Sequence, residues 1–134
     1  GVSKGMRFHT AINKFCFNAA LNEKILVYKT AYNQYRPYLS LKDAFKVFKF
    51  CIDKNIFNND IYNALSCNYT VKQIIKMVKR YKKKTSIKFV KTKIMNQLSY
   101  HVDNKKLSSL GLKLNSSIKN DIKDTIKLLS GLKY

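Results

Sequence analysis

The stretch Gln34-Tyr35-Arg36-Pro37-Tyr38-Leu39-Ser40-Leu41-Lys42-Asp43-Ala44 decides how the rest of the chain is read. Pro37 is the only proline in 134 residues. It fixes its own φ and biases Arg36 towards an extended conformation. Ser40 and Asp43 then have the Ser-x-x-acid spacing of a helix start, with Ser40 as the cap and Asp43 in the positive first turn. Ala44, Phe45, Val47, Phe48, Cys51 and Ile52 continue at helical spacing, so a helix is expected to about Lys54. Arg36 is thereby held on a rigid segment just ahead of a helix. A planar guanidinium presented in this way suits a phosphate or carboxylate, to which it donates two parallel hydrogen bonds. The plainer alternative is a surface arginine paired with a neighbouring acid. Side-chain alternation places Gln34, Arg36 and Tyr38 on one face of the extended piece.

Outward from this stretch, helices alternate with short strands. Upstream, Thr10 is placed to cap a helix to about Leu21, whose apolar stripe is Ala11, Ile12, Phe15, Cys16, Ala19 and Ala20. Ile25 to Tyr28 reads as a strand, and Thr30 to Arg36 as a polar loop. Downstream, Ile61 to Ser66 reads as an apolar strand of a covered parallel sheet. Thr70-x-x-Gln73 is a capping box that opens a helix with Val71, Ile74, Ile75 and Val78 on one face. Ile87 to Val90 alternates like a half-exposed strand, and Leu98 to Val102 is a further extended candidate. Asp103 is placed to cap a short helix ended by Gly111. Ser116 or Ser117 caps a last helix with the stripe Ile118, Ile122, Ile126, Leu129. The pattern is α/β. With one strand that looks central, the helical faces need something more to cover than this chain supplies.

Composition narrows the class. An apolar fraction of 46% belongs to a folded chain, and 134 residues is the length of one domain. No apolar run is long enough for a membrane span, and no signal-peptide pattern is present. Three scattered cysteines, Cys16, Cys51 and Cys67, fit reduced thiols in a reducing compartment, the cytoplasm. The charge is unusual: 27 Lys and Arg against 7 Asp and Glu, a net +20. Residues 72–93 carry ten of the cations and no acid. Such a field attracts polyanions, chiefly nucleic acid. Biased codon usage would account for many lysines, but poorly for the scarcity of acids.

Four segments together resemble a known family. They are Gly5-Met6-Arg7-Phe8-His9-Thr10-Ala11-Ile12-Asn13-Lys14-Phe15, the Gln34 to Ala44 stretch, Ile61 to Leu65, and Leu98-Ser99-Tyr100-His101-Val102-Asp103-Asn104. In this order they look like the C-terminal, substrate-binding portion of the NAD-dependent nucleotide-sugar epimerases and dehydratases, the extended short-chain dehydrogenase/reductase family. The resemblance implies an α/β fold, the C-terminal part of a Rossmann-type enzyme, mostly helices with a few short strands. It implies one substrate-binding region over 1–134. It also implies that NAD is bound by an N-terminal Rossmann half not present in this chain. Arg36 matches the arginine that holds the substrate diphosphate. Arg7, His9 and Asn13 fall on the loop and helix facing the nucleotide-sugar pocket, and Gln34 and Tyr38 flank Arg36. For His9, a capping or packing role is the alternative. A second arginine of the family's diphosphate clamp is missing, with Lys91, Lys93 or Gln97 as the replacements at hand. Tyr100 and Asp103 match the family pattern as folding residues.

The catalytic parts of that family are not found here. None of the four glycines forms a Gly-x-Gly-x-x-Gly turn. Tyr38-x-x-x-Lys42 has the family's Tyr-Lys spacing but straddles a strand-to-helix turn, so the two side chains do not share a helical face. No Ser-His-Asp arrangement is suggested, and His9 and His101 lack acids at zinc-ligand spacing. Two functions are therefore expected in order. The first is nucleotide-sugar binding as part of an NAD-dependent epimerase or dehydratase, with a homodimer as a further partnership left open. The second is an epimerase-derived basic domain that binds nucleic acid or serves a ribonucleoprotein.

Overall fold

The computed structural model of the chain describes residues 2–91 and 98–131. Among them are five α-helices and four short strands. In chain order these are α1 (Ala11–Ala20), β1 (Ile25–Tyr28), β2 (Tyr35–Tyr38), α2 (Leu41–Asp53), β3 (Cys67–Thr70), α3 (Val71–Tyr81), β4 (Ile87–Val90), α4 (Lys105–Ser109) and α5 (Ile118–Ser130). The strands form two separate pairs. β1 and β4 are parallel, with Ile25 opposite Ile87, and β2 and β3 are antiparallel, with Arg36 opposite Tyr69.

The core lies where α1, α3 and α5 meet the buried side of β1. Phe15, Cys16 and Ala19 of α1, Ile74, Ile75 and Val78 of α3, and Ile118, Ile122, Ile126 and Leu129 of α5 close on Ile25 and Val27. These are the stripes that helical spacing marks out, which is why three helices and one edge of alternating residues suffice to enclose them. Helix starts follow their chemistry. Ser40 Oγ accepts from the Lys42 amide, Ser117 Oγ accepts from the Asn120 amide, and Thr70 with Gln73 forms the full capping box. Gly111, at φ +98°, follows α4 in a left-handed conformation open to glycine. Thr10 differs: it precedes α1 without capping it, and its hydroxyl donates to the Arg7 carbonyl at 2.9 Å.

Three expectations are corrected. Residues 61–66 are not a strand, and pairing begins only at Cys67, antiparallel to β2 rather than within a parallel sheet. The backbone carbonyls there are met by side chains instead of a ladder: Lys106 Nζ donates to Ile61 and Asn104 Nδ2 to Leu65. Ile61 itself is 84% exposed. The loop expected over Thr30 to Arg36 gives way to β2 from Tyr35, because the neighbouring strand supplies partners that local propensity does not reveal. Residues 98–104 form no regular element. They are stitched to β2 and β3 by Ser99 Oγ, which accepts from the Tyr35 amide, and by the Asn68 side chain, which bonds both polar groups of the Val102 backbone.

Candidate functional site

Arg36 sits mid-strand in β2, directly before Pro37, as the local sequence demands. Its guanidinium donates to the Tyr35 carbonyl at 2.8 Å and to Gln34 Oε1 at 2.9 Å, and it also donates to the Leu98 carbonyl. Its Cζ lies 5.3 Å from the centre of the Tyr100 ring. This is cation–π range. Carbonyl oxygens and one ring face thus hold the fork in place. Arg36 lines a cavity of about 600 Å³ together with His9, Lys14, Gln34, Tyr38 and Val71. Ala11, Phe15, Leu26, Val27, Tyr28, Ala31 and Val90 complete an otherwise apolar wall. A mostly apolar cleft with a few convergent polar groups is the usual form of a small-molecule site.

Of the six residues the sequence marks out, four meet here: His9, Gln34, Arg36 and Tyr38. The other two, Arg7 and Asn13, line a neighbouring cavity of about 340 Å³ with Thr10, Leu41 and Asp121, and Tyr38 borders both. The Asn13 side chain donates to the Arg7 carbonyl at 3.0 Å, so it fixes the loop that carries Arg7 and His9. The Tyr38 hydroxyl is pushed above its ordinary pKa by burial, pulled back by the Arg36 charge, and raised again by Cys67. It is therefore a protonated donor at neutral pH.

Two contributors were not legible as site residues. Lys14 brings a second cation into the larger cavity from α1, where it shares a face with Ala11 and Phe15. The signal was its helical spacing from those residues. Tyr100, expected to serve folding, lies against the guanidinium. Of the candidates for a second clamp residue, Lys93 and Gln97 lie outside the described residues, and Lys91 does not line the cavity. Tyr38 lies in β2 and Lys42 in α2, so that Tyr-Lys pair spans the strand-to-helix turn.

Asp43 is structural. Burial pushes its carboxyl upward, but hydrogen bonds from the Ser116 and Ser66 hydroxyls, the Ser116 amide and Lys46 outweigh it and hold the pKa at about 2. The two hydroxyl contacts are 2.6 Å each. The residues at the helix N-cap positions are Thr10, Ser40, Thr70, Asn104 and Ser117, so no described helix is entered through the glycine turn that a dinucleotide pyrophosphate requires. The described residues contain no Gly-x-Gly-x-x-Gly turn. They also gather no group of three His, Cys, Asp or Glu able to hold a metal ion, and no described helix is long and apolar enough to cross a membrane.

No protein-family model matches the chain, and no curated protein does. Solved structures do match. RMD from Pseudomonas aeruginosa, complexed with NADPH, superimposes with a TM-score of 0.76 at 13% identity, over 96% of this chain and 44% of its own. UDP-glucose 4-epimerase from Thermotoga maritima, with UDP-glucose, gives 0.73 at 15% identity, over 88% of this chain and 38% of its own. GDP-mannoheptose C4 reductase from Campylobacter jejuni, with NADP bound, gives 0.71 at 17% identity, over 94% of this chain and 45% of its own. The chain spans less than half the length of each of these structures. The fold is α/β and is shared with part of each of these structures.

Proposed function

We propose that residues 1–134 are the nucleotide-sugar-binding region of an NAD(P)-dependent epimerase, dehydratase or reductase, working with a separate Rossmann half that holds the cofactor. The observation that carries this reading is the fixed guanidinium of Arg36 in the wall of the 600 Å³ cavity, with Lys14 and His9 beside it. A nucleoside diphosphate carries two adjoining negative groups, and a planar fork with a second cation nearby complements both. Lys14 takes the place of the second clamp arginine. Gln34 orients the fork, and Tyr38 offers a hydroxyl to the sugar or phosphate. The apolar wall accommodates the base and keeps water from the charged contacts. The likeness in fold to proteins bound to UDP-glucose and NADP supports the assignment. The reaction would take place where this region meets the cofactor-bearing half, in a cytoplasmic enzyme.

Calorimetric titration with UDP- and GDP-sugars tests the site. Arg36→Ala and Lys14→Ala are each expected to weaken binding roughly tenfold or more, in keeping with about 1.5–3 kcal/mol for a hydrogen bond to a charged group. Arg36→Lys keeps the charge but not the fork and should fall between. Because Arg36 also braces Leu98 and Gln34, each variant's thermal melt is recorded alongside. Unchanged affinity in both alanine variants, with unchanged melting, overturns the assignment.

A further inference from the structure

A second cationic feature lies apart from this cavity. Tyr69, Gln73, Lys76, Met77, Arg80 and Lys119 line a groove of about 500 Å³ between α3 and α5, and it shares no lining residue with the Arg36 cavity. Its wall contains three cations and no acid. None of Lys76, Arg80 and Lys119 is in an ion pair with another described residue, as the described ion pairs involve Lys46, Lys49, Lys105 and Lys106. At about 100° per residue, Lys72, Lys76, Lys79 and Arg80 occupy one arc of α3. That arc faces away from the buried Ile74, Ile75 and Val78 and runs on into Lys82, Lys83 and Lys84. Lys72 and Lys119 also stand in the first turns of α3 and α5, where the helix dipole disfavours a cation. The three cations lining the groove repel one another, and an anion entering between them relieves that repulsion.

We propose that this groove binds the phosphodiester backbone of a nucleic acid. The eleven residues of α3 extend about 16 Å, so one phosphate would leave most of the arc unoccupied while a run of phosphates engages it. Tyr69, half-buried on a paired strand, offers a ring edge or face to a base at the groove wall. An anionic bilayer would need a flat face with several apolar residues to insert, and beside the Tyr69 ring this lining holds only Met77.

The test is fluorescence anisotropy of the full chain with a labelled oligonucleotide of about 16 nucleotides, from about 50 to about 200 mM salt. Binding should weaken steeply with salt. The variant Lys76→Ser/Arg80→Ser/Lys119→Ser should lose at least tenfold in affinity, and its log–log salt slope should become shallower by about 2. Lys4→Ser/Lys42→Ser/Lys113→Ser, with the same net charge, should retain most of the affinity. Saturating UDP-glucose should leave the oligonucleotide bound, which separates this groove from the nucleotide-sugar site. An equal loss in the two triple variants overturns the proposal, because net charge alone would then explain binding. So does displacement by UDP-glucose, or groove-dependent binding to phosphatidylserine vesicles without binding to the oligonucleotide.

Discussion

At the scale of single residues, Asp43 does the most to hold distant parts together. Its carboxylate receives Ser66 from the approach to β3 and Ser116 from the approach to α5, while its own backbone sits in the first turn of α2. Three segments far apart in sequence converge on one charge. The sequence shows only the local part of this, an acid at helix-start spacing, because Ser66 and Ser116 lie 23 and 73 positions away. A carboxyl held at about 2 instead of the ordinary 3.8 contributes stability that is fully present above the unfolded value and is lost as pH falls through the folded one. The difference is worth about 2 kcal/mol. Denaturant melts at neutral pH should therefore show Asp43→Asn less stable than wild type by about 2–4 kcal/mol. Between pH 4 and pH 2 the wild type should lose a step of stability that the variant lacks. Parallel curves for the two proteins across that window would remove the clamp role. Cys16 gives a simpler check. Burial pushes its thiol up to about 12, so a thiol reagent should modify it only once the protein is unfolded.

At the scale of elements, α2 separates what periodicity can say from what it cannot. Its apolar spacing is correct and the helix forms over Leu41–Asp53, yet Phe45, Phe48 and Ile52 are 69%, 71% and 67% exposed. The same kind of pattern on α5 buries Ile118, Ile122, Ile126 and Leu129. Periodicity names a face, but the partner for that face lies elsewhere in the chain or in another molecule. The Ile61 to Ser66 segment fails for the related reason that an apolar run fixes neither strand pairing nor direction. Among the described residues the α2 stripe stays exposed. In the 134-residue chain, Phe45→Ser/Phe48→Ser/Ile52→Ser should barely shift the thermal midpoint, because little area is removed from the core. It should also lower binding of a hydrophobic dye and self-association in sedimentation velocity. Ile122→Ala, fully buried, should cost about 2–5 kcal/mol. A triple variant as damaging as Ile122→Ala would mean that the stripe is already packed within this chain.

At the scale of the molecule, two features that the sequence presents together prove to be separate in space. The extended Arg36 segment opens onto one cavity, and the lysine-rich α3 flanks another. The first was legible because proline and a helix cap fix the local backbone around a single arginine. The cavity's second cation was not, because Lys14 reaches it through the packing of α1, which no local rule specifies. The same arrangement predicts how the chain divides its ligands. In the proposed function the phosphate contacts come from side chains, and no described helix offers the glycine-entered N-terminus that would cradle a dinucleotide. Titrated with NADPH and followed by nucleotide fluorescence, the 134-residue chain should show no saturable change at concentrations where a UDP- or GDP-sugar gives a measurable heat. On the proposed function, NADPH should bind only when a cofactor-bearing half is supplied. Saturable NADPH binding by this chain, lost in Arg36→Ala, would instead place the dinucleotide in the cavity that the proposed function assigns to the sugar.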